Sequence, residues 1–340
     1  MSELPSVGVV MLAYGDEPVL DQAVEAVLAS RGVTVRLVLV DNGCTRDDLD
    51  SITARPGVQL LRPEQNLGFA GGVDAGAELV DEEYLATVNS DAVVDPDALA
   101  RLVAVAADPE VGIASGSIRL ASDPTTMNSA GNPVHMLGLS WAGGLGDPAS
   151  QHARPADVAS ASGAGIVMRR DLWGELGGFP AEFFAYLEDV ELSWRVWQSG
   201  RRVRYVPDAV VVHHYEFSRN ARKMYLLERN RALFVLTCYG RRTLLLLGPA
   251  LLAFEVAMLG LAVLQGWAGQ KLAGWRWVLG HQGWIRARRR AVQSARLVRD
   301  RDLAHLWETR FTAAAMPLPR WAQPLQSVVA AYCRAVRRAL

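Results

Sequence analysis

The chain has 340 residues, half of them hydrophobic, with 30 glycines, three cysteines and a formal net charge of −1. That is enough chain for one large α/β core plus an appendage. Cys44, Cys238 and Cys333 are too few and too scattered for a disulfide framework or a zinc site, and the N-terminus has no charged-then-apolar signal pattern, so an intracellular enzyme is expected.

Val7 to Ala13 is continuously apolar and reads as a first strand buried on both faces. The turn after it, Tyr14-Gly15-Asp16-Glu17-Pro18, lacks the basic glycine-rich loop of a nucleotidyltransferase and the G-x-G-x-x-G of a dinucleotide oxidoreductase. Val35 to Val40 is a second strand, closing on Asp41-Asn42-Gly43. Strands alternating with helices predict an α/β fold with a doubly wound, mostly parallel sheet. Asn66-Leu67-Gly68-Phe69-Ala70-Gly71-Gly72 follows, where glycines let backbone approach a ligand at a helix start; a plain glycine-rich turn accounts for the same residues. Leu85 to Val88 is a short buried strand running into Asn89-Ser90-Asp91, and Pro96 is expected to open the next helix. Asp91 therefore sits at a strand's carboxyl end, where ligands of open α/β sheets bind and where a carboxylate suits Mg²⁺ or Mn²⁺ carrying phosphate oxygens. A helix cap is the plainer reading.

Ala121 to Val158 is rich in Gly, Pro, Ala and Ser, with Asn128, His135 and His152 dispersed through it. It is expected to be an acceptor-side loop, with both histidines on its surface. Ser162 to Met168 returns as a glycine-softened strand whose small residues leave room for substrate. Glu188-Asp189 then lies in an aromatic, apolar run from Phe183 to Trp194. Ionised groups beside low-dielectric surface need a partner, a metal or use as a base, although acids also favour helix N-termini. Val203 to Pro207 and Ala209 to Val212 look like two strands, the second ending in His213-His214. Histidine with carboxylate makes a mixed nitrogen/oxygen metal set, and packing is the competing role for such a histidine.

Taken in order, Val40-Asp41-Asn42-Gly43, the Asn66 to Gly72 segment, Asn89-Ser90-Asp91, Glu188 to Arg195 and His213 resemble glycosyltransferase family 2 with the GT-A, Rossmann-like fold, helices covering both sheet faces. The similarity is greatest to its bacterial rhamnosyltransferase and galactofuranosyltransferase branch and runs from about Val7 to about Tyr239. The resemblance implies that Asp41 contacts the nucleotide base or ribose, and that Ala13, Tyr14, Asn66, Gly68, Ser90, Asp91 and Gly165 line the nucleotide-sugar site. It implies Asp91 and His213 as ligands of Mg²⁺ or Mn²⁺, Asp189 as catalytic base and Glu188 as its companion. Gly15, Asp74 and Asn89 depart from the family pattern; Asn89 replaces the first acid of its DxD-like motif. The implied reaction inverts the anomeric centre while moving one sugar from a nucleotide-sugar donor, dTDP-rhamnose favoured over UDP- or GDP-sugars, to a lipid-linked or cell-envelope glycan acceptor.

The small net charge conceals an asymmetry: residues 1–215 hold 14 Lys and Arg against 30 Asp and Glu, and residues 216–340 hold 21 against 6. A boundary is expected at 239/240, between a catalytic domain and a basic helical region. Leu244 to Leu264 is long enough to cross a bilayer, although Pro249 and Glu255 weaken a spanning reading. Trp267, Trp275, Trp277 and Trp284, followed by seven arginines from Arg286 to Arg301, mark an interface with anionic lipid at the cytoplasmic face, peripheral rather than spanning. A buried core helix or a homo-oligomer seam would use the same residues. Nucleic acid is not expected, because no reading module accompanies the charge. A catalytically inactive membrane scaffold of this fold, or an enzyme with a soluble acceptor, remains the alternative.

Overall fold

The computed structural model describes residues 3–214, 221–312 and 323–340. The chain forms two compact units: residues 1–132, 142–196 and 201–216, and residues 133–141, 197–200 and 217–340. In chain order the first unit contains β1 (Ser6–Gly15), α1 (Leu20–Leu28), β2 (Thr34–Cys44), α2 (Leu49–Thr53), β3 (Val58–Leu61), α3 (Gly68–Ala77), β4 (Tyr84–Val88), β5 (Ala92–Val94), α4 (Ala98–Ala106), β6 (Val111–Leu120) and β7 (Asp123–Ser129). Next come β8 (Val134–His135), which belongs to the second unit, then β9 (Ala156–Asp157), β10 (Gly165–Arg169), α5 (Arg170–Leu176), α6 (Glu188–Gln198) and β11 (Arg202–His213).

The main sheet runs β3-β2-β1-β4-β10-β6-β11-β5, with β7 on β6 and β9 on β11. Strands β3, β2, β1 and β4 are parallel, as are β6 and β11, while β10 is inserted antiparallel between the two blocks. Strand alternation explains the unbroken apolar run of β1. Val7, Val9 and Met11 pack with Leu20, Val24 and Val27 of α1, whereas Val10 and Leu12 meet α3 on the other face, where Cβ atoms on Gly76 and Gly72 would come within 2.5 Å and 2.6 Å of them. Each such fully buried aliphatic side chain contributes about 1.5–3 kcal/mol. The two strands expected near residues 203–212 are one strand, β11, whose pairing with β6 shifts register between Val206 and Val210. Helix α4 starts at Ala98, after a turn in which its N–H bonds Asp95 O, rather than at Pro96.

The second unit adds α7 (Ala221–Cys238), α8 (Arg241–Leu264), α9 (Ala268–Gly280), α10 (Gln282–Ala295), β12 (Trp307–Glu308) and α11 (Gln323–Ala339), with β12 pairing parallel to β8. Helix α7 packs against α9 and α10, so the units part at 216/217, upstream of the boundary expected at 239/240. Helix α8 is long and apolar enough, by length and composition alone, to cross a membrane. Glu255, expected to weaken a span, joins Glu228, Arg231 and Lys271 in a closed ion quartet linking α7, α8 and α9, with Lys271 Nζ 2.7 Å from Glu255 Oε2 and Arg231 3.4 Å from Glu228.

Three of the residues read as lipid-facing are used inside the unit. Trp267 is buried, Trp275 donates its indole N–H to Glu255 at 2.6 Å, and Trp277 stacks on His281 at 4.0 Å and under Arg229. Among the arginines, Arg289 donates to the Leu236 and Tyr239 carbonyls at the end of α7, Arg296 pairs with Asp300 at 2.6 Å, and Arg301 pairs with Asp302. Within 121–158, His152 is a part-exposed partner of Asp147, but His135 is fully buried in the second unit, where burial holds its imidazole down at about 4. An apolar neighbourhood supplied by distant residues, including Phe311 stacked at 4.1 Å, is not visible from the loop's own composition.

Candidate active site

Polar residues gather at the carboxyl ends of β2 and β4 of the first unit, Asp41 and Asn42 near the end of β2 and Asn89-Ser90-Asp91 just past β4, where an open α/β sheet forms its ligand crevice. Ala13 is buried beside Asp41 in the β1–β2 register, and Tyr14 beyond it is exposed. Asp41 Oδ1 accepts the Gly43 and Cys44 N–H groups at 3.3 Å and 3.0 Å, leaving Oδ2 toward Arg62 at 3.4 Å. Its neighbour Asn42 was not singled out from sequence, yet it is the buried clamp of this corner. Its Oδ1 accepts Leu67 N–H at 2.8 Å and its Nδ2 donates to Gly68 O at 3.0 Å. Asn66 Oδ1 accepts Gly68 N–H at 2.7 Å. Gly68 has φ +71°, and a Cβ there would collide with the Phe184 carbonyl at 2.3 Å, so a side chain is excluded on two counts.

That carbonyl belongs to the most strained segment of the described chain. Phe184, Tyr186 and Leu187 have φ of 62°, 72° and 68°, left-handed values that cost non-glycine residues of order 1–3 kcal/mol each. The strained turn delivers Glu188 and Asp189 into the first turn of α6. Asp189 Oδ2 accepts Gly163 N–H at 3.1 Å and Oδ1 accepts Val190 N–H at 2.8 Å. Gly163 O in turn accepts the Thr87 hydroxyl at 2.8 Å, and Ala164 O accepts Asn89 N–H, so the 163–164 corner ties the acid to the end of β4. Burial raises the Asp189 carboxyl to about 6 despite these hydrogen bonds. Glu188 is buried more deeply, with Oε2 lacking a hydrogen-bond partner; burial and then the Asp189 charge push its carboxyl well above the ordinary range. Gly165, two residues past Gly163, lies within the sheet, where a Cβ would press on Val211 at 2.9 Å.

The β5–β11 ladder brings Asp91 to His213. Ala92 pairs with His213 in antiparallel register, and His214 N–H bonds Asp91 O at 2.8 Å. Asp91 Oδ1 and His213 Nε2 are 3.0 Å apart, and Asn89 Nδ2 is 3.4 Å from the same nitrogen. On the ring's other side Nδ1 faces Asn128 Oδ1 of β7 at 3.0 Å. In the tautomer whose Nδ1 donates to that amide oxygen, the Nε2 lone pair faces a carboxylate oxygen, and two electron-rich atoms in that relation could share a cation. The buried Asn89 Oδ1, without a hydrogen-bond partner, adds a further oxygen beside them. Among the described residues no group of three or more His, Cys, Asp or Glu could hold a metal, and Asp91 with His213 is the pair that could contribute ligands to one. Ser90 is buried with its hydroxyl 3.5 Å from Glu17 of the turn after β1; burial and the Asp91 charge raise the Glu17 carboxyl.

Such a sheet, with these groups at its strand ends, defines the GT-A class of glycosyltransferase. Solved structures agree on the fold: GalNAc-T7 with UDP, GalNAc and Mn²⁺ aligns at TM-score 0.58 and 17% identity over 71% of this chain and 49% of that one. A mannosyltransferase from Pyrobaculum calidifontis in complex with GDP-Man and Mn²⁺ aligns at 0.52 and 18%, over 98% and 86%. Residues 8–177 match Glycosyl transferase family 2, and the chain belongs to that family. A curated relative is the N-acetylglucosaminyl-diphospho-decaprenol L-rhamnosyltransferase of Mycobacterium tuberculosis, 28% identical over 231 residues, 61% of this chain and 75% of that protein. The O-antigen biosynthesis protein RfbC of Myxococcus xanthus is also 28% identical, over 62% of this chain and 18% of its own length.

Proposed function

We propose that this family 2 glycosyltransferase is inverting and metal-dependent. It moves one sugar, rhamnose from dTDP-rhamnose ahead of UDP- or GDP-sugars, onto a hydroxyl of a lipid-linked or cell-envelope glycan at the cytoplasmic face of the membrane. The observation that carries the reaction is Asp189: a half-buried carboxylate held by the backbone N–H groups of Gly163 and Val190, aimed by a strained turn and raised toward neutral pH. Such a group accepts a proton from an acceptor hydroxyl as the hydroxyl attacks, a contribution of roughly 10² to 10⁴ in rate. Glu188, which holds its proton more readily than an ordinary glutamate, limits the negative charge beside it. Asp91 and His213 would hold Mg²⁺ or Mn²⁺, which when bound offsets charge building on the leaving diphosphate. Asp41, Asn66 and Gly68 shape the donor corner, with Asn42 clamping it. A single displacement inverts the anomeric carbon. The similarity to the N-acetylglucosaminyl-diphospho-decaprenol L-rhamnosyltransferase supports a rhamnosyl donor and a lipid-linked acceptor.

Sugar nucleotides screened for metal-dependent thermal stabilisation should single out one donor, and the anomeric coupling of the product reads the stereochemistry. Asp91→Ala and His213→Ala should each weaken the response to Mn²⁺. Transfer indifferent to chelator, or a retained anomeric configuration, would overturn this mechanism, and full-length protein without turnover of any donor would favour an inactive scaffold.

A further inference from the structure

We infer that α8 and α11 together form one docking face that lies in the plane of an anionic bilayer surface. Helix α8 has two opposed sides. Thr243, Leu247, Met258 and Ala262 are buried in the unit, while Leu245, Pro249, Leu252, Val256, Gly260 and Val263, at spacings of three, four and seven, are exposed. No charged residue interrupts that stripe.

Helix α11 extends it. Ala330, Cys333 and Val336 are its buried side, and it contacts α8. Tyr332 donates its hydroxyl proton to Leu246 O at 2.6 Å and Arg242 donates to Ala339 O at 2.5 Å, which sets the two helices antiparallel. Leu325 and Val328 are exposed beside the α8 stripe. Leu252 at 69% and Val328 at 65% exposure are aliphatic side chains that water does not favour.

The ion quartet fixes the orientation. Glu255 lies in the middle of α8, and a spanning α8 would carry it into hydrocarbon together with Glu228 and Arg231 of α7 and Lys271 of α9. Lying flat, α8 buries its apolar stripe in lipid and keeps the quartet on the protein side. Charge selects the occupant. Arg242, Arg334, Arg337 and Arg338 are exposed at the shared end of the two helices, and 21 Lys and Arg stand against 6 acids in residues 216–340, which repels a second copy and attracts acidic headgroups.

This rests on the proposed reaction only for why the enzyme seeks a bilayer. Binding is therefore measured without substrate, and transfer separately on a water-soluble acceptor analogue. Full-length protein should float with phosphatidylcholine vesicles containing phosphatidylglycerol and much less with phosphatidylcholine alone. Leu252→Glu and Val328→Glu should each lower partitioning at least about tenfold, the equivalent of one lost aliphatic contact, while Leu297→Glu, at an exposed residue off this face, should not. Nitroxides at positions 245, 256, 263 and 328 should report one shallow depth. A depth gradient from 245 to 263 would show a span. Concentration-dependent dimers abolished by Leu252→Glu, or indifference to both vesicles, would equally overturn the proposal.

Discussion

Two pairs of acids drawn out of water, one in each unit, are treated in opposite ways. In the second unit Glu228 and Glu255 meet Arg231 and Lys271 in a closed quartet; burial alone would raise Glu255, but the two cations outweigh it and hold its carboxyl at about 2. In the first unit buried Glu188 and half-buried Asp189 lie side by side, and both carboxyls are raised. Compensated acids hold helices together. Acids left uncompensated at the end of a strained turn cost folding free energy, and that cost makes sense where a proton must be accepted.

The largest effect that can break this comparison is on turnover. Asp189→Asn should lower kcat by about 10² to 10⁴ while donor binding persists; a change within a few-fold would remove Asp189 from the role. In the other region, Lys271→Met leaves two buried carboxylates with one cation and should cost about 3–5 kcal/mol in denaturant unfolding, with an unchanged midpoint showing the quartet to be slack. Smaller than either is Asn128→Leu, which removes the acceptor at His213 Nδ1 and should weaken Mn²⁺ binding by about 10- to 100-fold, read by the electron paramagnetic resonance of free Mn²⁺. Asn128→Asp, which keeps an acceptor, should restore it.

Two smaller effects concern pH. A base must be deprotonated, so kcat/KM should rise through pH about 6 and flatten above it, and Asp189→Asn should erase that limb from its residual rate. Because the folded Asp189 carboxyl is raised above its unfolded value, the native state binds the proton more tightly. Its ionisation therefore lowers stability as pH rises from about 4 through about 6. Asp189→Asn escapes that loss and should raise stability at pH 8 by about 1 kcal/mol, after allowance for partial exposure, with no gain at pH 4. A mutant less stable than the parent at pH 8 would mean that the Gly163 and Val190 hydrogen bonds to the carboxylate outweigh the cost of keeping its charge out of water.

What could be read ahead of the structure follows the range of each signal. Continuous apolar runs such as Val7 to Ala13 betray two-faced burial locally, Asp91 stands out as an acid at a strand's carboxyl end, and Glu188 and Asp189 stand out as acids in an apolar run. Asn42 and Asn128 do not, since a buried amide is recognised by partners 25 or 85 residues away. The three residues of β5 are too short for any periodicity and are strand only because β11 pairs with them. The charge balance of the C-terminal half was legible, but which of its tryptophans and arginines face outward was not, because Trp275 and Arg289 find acceptors on other helices.

The β5–β11 ladder also makes the cation pair a matter of strand registry. Neighbouring residues of a strand point to opposite faces, so a slip of one position would turn His213 away from Asp91 and present His214 from the other side. The proposed cation is thus a clasp on the last strand of the first unit. Amide protons of Val93 and Val212, which face each other across the ladder, should exchange with deuterium more slowly when Mn²⁺ is added, giving a record of metal occupancy that needs neither donor nor acceptor.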